Sequence, residues 1–551
     1  MTESTHFTAG NTPDAPRSDL PDLLDALAAD LRDVGYTLDG VADLLGASAN
    51  SALSRDQLIP APIVTETAAH GEPRTAALAA VVRFWLLAVP QAAAALDAAL
   101  PRVRTEGLVA LGLAEAVEGQ IAAAADLRPY GWEATAGEGA SGSGGAELWV
   151  ASDLAAHQRP GVLRHDHVLG IGQASTTLVQ TTIRRHAARA LDLGTGCGIQ
   201  TFHLLHHSEH VTATDISERA LAFTRFNLLL NAEALHVDRA RPEDRVSLRL
   251  GSLLEPVAGE EFDLVVSNPP FVITPRSTGE AAADQFTYRD GGLPGDDIVA
   301  SLVRSLPEVL APGGTAQLLG NWEITAGTSW EERPQSWASP DTDVWFIQRE
   351  QLGPEQYAET WLQDASENRD RRHYQDAYAA YLDDFASRDV GGVGFGMIWL
   401  RRPAGGQRRV CRFEEITYPI EQPVGPHLGA GVDRADWLAG NDLSASHLLV
   451  ADDVTEERHQ RPGAEHPGVI LLRQGAGLRR TNLLSTELAG FVSACDGDLS
   501  AGQIIGALEA LLGGADGFEG DAFRAGLLAE VANLVRDGFL LPSGGASSGG
   551  A

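Results

Sequence analysis

The sequence predicts an α/β protein built on a Rossmann-like, mostly parallel sheet of seven strands. A helical, winged-helix-like module precedes the sheet and an α+β, winged-helix-like module follows it. Three observations carry this expectation. Between residues 157 and 403 short apolar runs alternate with helical patterns, which is how a parallel sheet covered on both faces reads in sequence. One of those runs, Ala190–Leu193, passes directly into Gly194-Thr195-Gly196-Cys197-Gly198. Another, Phe262–Ser267, ends in Asn268-Pro269-Pro270-Phe271.

Taken in order, residues 1–18 are polar and proline-containing and are expected as a disordered tail. Residues 19–156 form the first module. Leu23, Leu24, Leu27 and Leu31 recur at helical spacing, as do Val41, Leu44 and Leu45. The helical pattern runs to about Leu113, and two strands are expected after it, Gln120–Leu127 and Leu148–Leu154, split by the Gly/Ser run Gly137–Gly145. Residues 157–403 hold the strand candidates Ala190–Leu193, His210–Asp215, Val246–Leu250, Phe262–Ser267, Gly314–Leu319, Val344–Arg349 and Gly394–Arg401. Charged helical segments, Pro354–Asp364 and Arg369–Arg388, enlarge the last connection. Residues 404–542 form the last module, with strands near Cys411–Tyr418, His447–Val454 and Val469–Leu472. Helices follow, the last of them, Phe523–Leu540, running into a short apolar strand. Residues 543–551 are a Gly/Ser tail.

Composition narrows the class. A chain of 551 residues exceeds one ordinary core. Its formal charge of −34, with arginine as the sole fixed cation type, opposes general binding of nucleic acid. Cys197, Cys411 and Cys495 are too scattered for a disulfide framework or a zinc site, which fits a reducing cytoplasm. Residues 1–6 lack the basic start and apolar core of a signal peptide. The most apolar stretch, Ala76–Leu100, is broken by Arg83 and Pro90, so buried helices are expected there and no membrane span.

The chemistry is carried by three strand ends. Glycines after Ala190–Leu193 let the backbone approach a ligand, but the spacing is G-x-G-x-G and not the G-x-G-x-x-G of a pyrophosphate cradle. Asp192, just before the turn, repels phosphate and suits a cation. Asp215, at the tip of the next strand, is placed for the two hydroxyls of a ribose. A ribose-bearing, positively charged cofactor without phosphate is S-adenosylmethionine. At the third strand end, the Asn268 side-chain oxygen and the Pro269 carbonyl can each take one N–H of a planar amine. Pro269 and Pro270 stiffen the loop, and Phe271 offers a face for stacking.

With these motifs, residues 157–400 resemble the class I S-adenosylmethionine-dependent methyltransferases, and within them the "methyltransferase small" group. That group includes HemK-type protein-glutamine methyltransferases and several ribosomal-RNA base methyltransferases. The resemblance implies that Asp192, Gly194, Thr195, Gly196 and Gly198 hold the methionine part of the cofactor and Asp215 the ribose. It implies that Asn268 borders the cofactor and, with Pro269, Pro270 and Phe271, forms the catalytic loop. Ser252, in Gly251-Ser252-Leu253-Leu254, stands where family members often carry an Asp for the adenine amine. Asp166–Ser175 stands where the family closes over cofactor and substrate, and Leu310-Ala311-Pro312-Gly313-Gly314 matches a turn before its fifth strand. The implied activity is transfer of a methyl group to a planar nitrogen of a macromolecule in the cytoplasm, without metal or membrane. A protein glutamine in a release-factor-like partner leads. An exocyclic amine of a ribosomal-RNA base, a small-molecule amine, and a non-catalytic binding module on the same fold are the alternatives.

Other signals weigh less. His203, His206, His207 and His210 share one face if the helix after the glycine turn runs that far. His165 and His167 flank Asp166 and could orient substrate, though ordinary loop residues are the plainer expectation. Tyr288–Gly292 falls in the expected acceptor loop, as either a substrate contact or a simple turn. Arg401, Arg402, Arg408, Arg409 and Arg412 are the best candidates for a phosphate-binding patch, against the commoner solvated strand end.

Overall fold

Six of the expected strands lie side by side: β1 (Ala187–Leu193), β2 (Ser208–Asp215), β3 (Val246–Leu250), β4 (Phe262–Ser267), β5 (Leu310–Thr325) and β6 (Val390–Arg401). Their order is β6-β5-β4-β1-β2-β3. β1 through β5 pair in parallel, and β6 runs antiparallel to β5. The computed structural model describes residues 6–53, 55, 57–132, 145–156, 158–159, 164–275, 292–364, 371–513 and 519–543. These fall into two compact units, one within 1–179, 186–342 and 350–405, the other within 180–185, 343–349 and 406–551. Eight strands stand where seven were expected, the added one being Cys411–Glu415. It pairs in parallel with Val344–Gln348 inside the second unit. Leu191, Ala213 and Val265 are completely buried, as expected of parallel strands covered on both faces. The expected turn at Ala311–Gly314 is a bulge within β5: Phe262 pairs with Leu310 but Leu264 with Thr315.

Also in the first unit, helices Pro21–Val34, Leu38–Leu53, Pro60–Ala68, Pro73–Phe84, Ala93–Ala99 and Arg104–Ala110 precede two hairpins. Ala114–Val117 pairs with Gln120–Ala123, and Asp126–Trp132 with Ala146–Ser152. The expected strand Gln120–Leu127 is therefore two strands of different hairpins, divided at Ala124 and Ala125. Residues 137–144 of the expected Gly/Ser loop lie outside the described residues.

Two buried asparagines tie the second hairpin to the helix Glu218–Leu230 and its C-terminus. Asn231 takes the Trp149 N–H at 2.9 Å and donates to the Trp149 carbonyl at 2.8 Å. Asn227 does the same for Ala151, at 2.7 and 2.9 Å. Each side chain copies the donor–acceptor pair of a neighbouring strand and satisfies backbone groups that burial would otherwise leave orphaned.

The expectation of a disordered tail over residues 1–18 is corrected for residues 6–18. The Phe7 N–H donates to the Leu248 carbonyl of β3 at 2.9 Å, and Phe7, Thr12 and Ala15 are buried. An edge strand has free carbonyls, and this polar segment supplies a donor and an aromatic ring to cover it.

In the second unit, Gly425–Gly440 is a helix that the sequence reading missed. Two three-stranded antiparallel sheets follow, with His447–Val450 central in one and Val469–Gln474 central in the other. Helices Thr486–Ser493, Ala501–Leu512 and Gly520–Asp537 close a core that contains Phe491, Val531 and Phe539. The last helix ends at Gly538 in the left-handed conformation, and Leu540–Pro542 then pairs with His447–Val450. Residues 544–551 of the expected Gly/Ser tail lie outside the described residues.

Candidate active site

Leu193 on β1 is in register with Thr214 on β2 and with Ser267 on β4. Gly194, Asp215 and Asn268 therefore leave the sheet side by side, at the point where strand order reverses. That crevice is where open α/β sheets bind ligands.

The glycine turn is held by β2, since the Gly194 and Thr195 N–H groups both donate to the Thr214 carbonyl at 2.9 Å. Gly198 has φ 98°, and a Cβ there would come within 2.6 Å of the Phe202 ring. Gly196 is also left-handed, at φ 57°, but a Cβ there would meet nothing within 4 Å. The first glycine is required by packing of the protein on itself. The second opens onto free space.

Asp192 lies beneath this turn, completely buried. Its Oδ2 accepts from the Thr201 N–H at 2.9 Å and the Thr201 hydroxyl at 2.7 Å. Its Oδ1 has no partner among the described residues. Burial pushes the carboxyl up to about 6, against those hydrogen bonds. At the tip of β2, Asp215 accepts from the Gly196 N–H at 3.0 Å and the Ser217 N–H at 2.9 Å. Removal from water also raises this carboxyl, and the same backbone donors oppose the shift. The Gly251 N–H donates to the Asp215 carbonyl at 3.0 Å, which keeps the loop bearing exposed Ser252 at the β2 tip.

The segment before β1 is pinned from below. Arg219, 7% exposed, donates to Asp153 at 2.6 and 3.0 Å, to the Asp166 carbonyl at 2.7 Å and to the Asp14 carbonyl at 2.8 Å. Asp153 also takes the Val168 N–H at 2.8 Å, and Gln200 donates to the Ser175 carbonyl at 2.9 Å. His167 is buried beside Asp153, and burial lowers its pKa.

The loop after β4 carries the second orphaned group. The Asn268 Oδ1 is buried without a hydrogen-bond partner among the described residues. Pro269 is buried, and Pro270 and Phe271 are half-buried. Two residues that the sequence reading missed hold this loop. Asn321 Nδ2 donates to the Phe271 carbonyl at 2.7 Å, and the Tyr357 hydroxyl accepts from the Ile273 N–H at 2.8 Å. The available signal was a single amide in the otherwise apolar run Leu318–Trp322.

Residues 153–328 match the methyltransferase small domain family. This segment is a methyltransferase small domain. Its doubly wound sheet is that of the S-adenosylmethionine-dependent methyltransferases. Residues 33–124 match a domain of unknown function, DUF7059. The chain is 30% identical over 183 residues to a ribosomal protein uL3 glutamine methyltransferase of Bradyrhizobium diazoefficiens, covering 32% of this chain and 54% of that protein. It is 35% identical over 169 residues to a release factor glutamine methyltransferase of Geobacter sulfurreducens, covering 28% of this chain and 51% of that protein. The chain thus spans about half the length of the curated relatives it matches.

Two of the weaker sequence signals resolve into structural roles. The histidines do not share a helical face, because the helix stops at Leu204 and His210 sits on β2. His203 bonds the Tyr130 hydroxyl at 2.7 Å and packs on Trp132, while His210 bonds Ser247 at 2.9 Å. Among the described residues no group of three or more His, Cys, Asp or Glu is placed to hold a metal ion. The arginines of the candidate phosphate-binding patch are each engaged by groups of the protein itself. Arg402 pairs with Glu261 at 2.7 Å, Arg409 with Asp436 at 3.2 Å, and Arg412 with Glu414 and Asp537. Arg401 is buried over Trp399, and Arg408 donates to the Val410 carbonyl at 3.3 Å. Of Tyr288–Gly292, residues 288–291 lie outside the described residues. Among the described residues no helix is long and apolar enough to cross a membrane.

Proposed function

We propose that the methyltransferase domain transfers a methyl group from S-adenosylmethionine to the side-chain amide nitrogen of a protein glutamine. The observation that carries the reading is the buried, unpartnered Asn268 Oδ1 at the strand end beside the cofactor turn. An unsatisfied buried acceptor costs about 1–3 kcal/mol, and a ligand N–H recovers it.

The residues present fit the cofactor. Asp192 and Asp215 offer carboxylates to a cation and to a ribose, and Gly194 and Gly196 leave open space where a side chain would intrude. Gly194, Thr195, Gly196 and Gly198 would hold the methionine part, and Ser252 would reach the adenine side as a hydroxyl where an acid is usual. When bound, S-adenosylmethionine supplies an electrophilic methyl on a positively charged sulfur. The chain's task is then to present the nitrogen. An amide lone pair is delocalised into its carbonyl and is a poor nucleophile. Asn268 Oδ1 and the Pro269 carbonyl each accept one N–H, which fixes the NH2 group and turns its lone pair out of conjugation. As the nitrogen forms its new N–C bond the S–CH3 bond would break, its electron pair leaving on sulfur as a neutral thioether, and the nitrogen releases one proton to water, so no strong base is needed. Phe271 lies against the amide plane.

A protein acceptor is favoured over the exocyclic amine of an RNA base by charge. The net −34 repels phosphate, and of the candidate phosphate-binding arginines Arg402, Arg409 and Arg412 pair with carboxylates and Arg401 is buried. Similarity to proteins named as release factor and uL3 glutamine methyltransferases supports the same choice. Retention of Asp192, Asp215 and Asn268 together speaks against a non-catalytic binding module. The test is incubation with methyl-labelled S-adenosylmethionine and, separately, purified release factor, purified uL3 and ribosomal subunits, read by mass spectrometry. Label on a glutamine is expected; label on RNA alone overturns the acceptor.

A further inference from the structure

We propose that Asn321 and Tyr357 are positioning residues that set the geometry of the Asn268–Phe271 loop, and so the angle at which the acceptor nitrogen meets the methyl group. The proposal rests on the methyl-transfer reading above.

Neither side chain belongs to the motif, and both act on its backbone. Asn321 is completely buried on β5, at the end of the sheet where the site opens, and its Nδ2–H holds the Phe271 carbonyl at 2.7 Å. Tyr357 is completely buried on the helix Pro354–Asp364, and its hydroxyl takes the Ile273 N–H at 2.8 Å. The two polar groups lie 3.5 Å apart. Phe395 of β6, directly across the ladder from Asn321, stacks on the Tyr357 ring at 5.8 Å with planes 15° apart. Ile273, Tyr381 and Phe385 complete the same apolar cluster. The loop is therefore clamped at alternate residues, 271 and 273, by one strand and by one helix of the enlarged connection between the strands Asp343–Leu352 and β6.

Two prolines stiffen the first half of the loop from within, but they do not fix where it points. Backbone hydrogen bonds from a rigid strand and a buried ring do so. A buried amide in an apolar strand costs stability unless bonded. Asn321 bonds only through Nδ2 among the described residues, its Oδ1 being orphaned. A residue selected for stability alone would be apolar here.

The test uses the full-length protein, methyl-labelled S-adenosylmethionine, and purified release factor and uL3 as acceptors. Tyr357→Phe is expected to lower kcat roughly ten- to hundredfold while the cofactor Kd stays within about twofold. Asn321→Asp supplies a readout that a merely structural role would not move. Its ionised carboxylate faces the Phe271 carbonyl without a proton to donate, whereas its protonated form donates again. Its kcat relative to the wild type should therefore recover as pH falls. Wild-type turnover with unchanged kcat in both variants, at a temperature where melts show them folded, overturns the positioning role alone. So does an Asn321→Asp deficit that ignores pH. A wild type that labels neither acceptor overturns the glutamine reading, and the role of the pair toward that amide falls with it.

Discussion

Replacing Asp192 by Asn should stabilise the unliganded protein at neutral pH while destroying its affinity for the cofactor. The carboxyl ionises near pH 3.8 in an unfolded chain and at about 6 beneath the glycine turn. That gap is worth about 3 kcal/mol, at about 1.4 kcal/mol per pH unit. The sign follows from the native state holding its proton more tightly. This stability is fully present below pH 3.8, and it is lost as pH rises through about 6. Asn is isosteric and does not ionise; its amide oxygen can accept both Thr201 donors, with the amide nitrogen at the orphaned Oδ1 position. The stability gap between variant and wild type should widen with pH, and roughly half of the 3 kcal/mol falls between pH 5 and pH 8. At about 2–4 °C per kcal/mol, thermal melts should show the Tm difference growing by ~3–6 °C over that range. Taking differences cancels the pH dependence of the other groups. A Tm difference that is flat with pH, or that shrinks, refutes the claim that the fold keeps an unfavourable buried carboxylate for a cationic ligand. Added S-adenosylmethionine should raise the wild-type Tm and leave the variant unmoved.

Other expectations follow from the same geometry. Asn268→Ala should keep cofactor affinity within about twofold by calorimetry and cut turnover by roughly two to three orders of magnitude; an unchanged rate removes its assigned role. Gly198→Ala forces a Cβ against Phe202 at 2.6 Å and should destabilise the fold by about 2–3 kcal/mol in denaturant melts. Gly196→Ala, with open space around it, should cost only about 1–2 kcal/mol of stability yet weaken the cofactor at least ~10-fold if that space is where the proposed ligand sits; equal losses in both variants contradict that division. Asn227→Ala leaves the Ala151 N–H and carbonyl without their side-chain partner, at a cost of about 3 kcal/mol. Hydrogen exchange over 146–152 should accelerate, and unchanged protection counts against the strand-mimic role.

Patterns confined to a few neighbouring residues were legible in the sequence. β1 and β4 are largely apolar runs because both their faces are covered, and they lead into Gly194 and Asn268, residues that no apolar core would choose, as Asp215 is at the end of the more polar β2. The left-handed backbone of Gly196 and Gly198 could be anticipated because few other residues adopt it. Features that pair residues far apart in the chain were not legible. Asn227 reaches Ala151 across 76 positions and Asn321 reaches Phe271 across 50. The apolar run around Asn321 marks its amide as unusual, but neither local sequence names the distant partner.

The same division explains the corrections. His203 and His210 share a helical spacing, but the helix ends between them, since β2 must begin at Ser208 to pair with Ala187. The arginine run reads as a basic patch until the fold brings Glu261, Asp436, Glu414 and Asp537 to it. By itself, the sequence determined the strands of the sheet, the glycine turn and the Asn268–Phe271 motif, because local backbone demands and burial patterns are written residue by residue. Tertiary structure alone decided which charges are neutralised, which oxygens stay orphaned and what holds the Asn268–Phe271 loop in place. Those outcomes depend on distances between segments that only folding brings together.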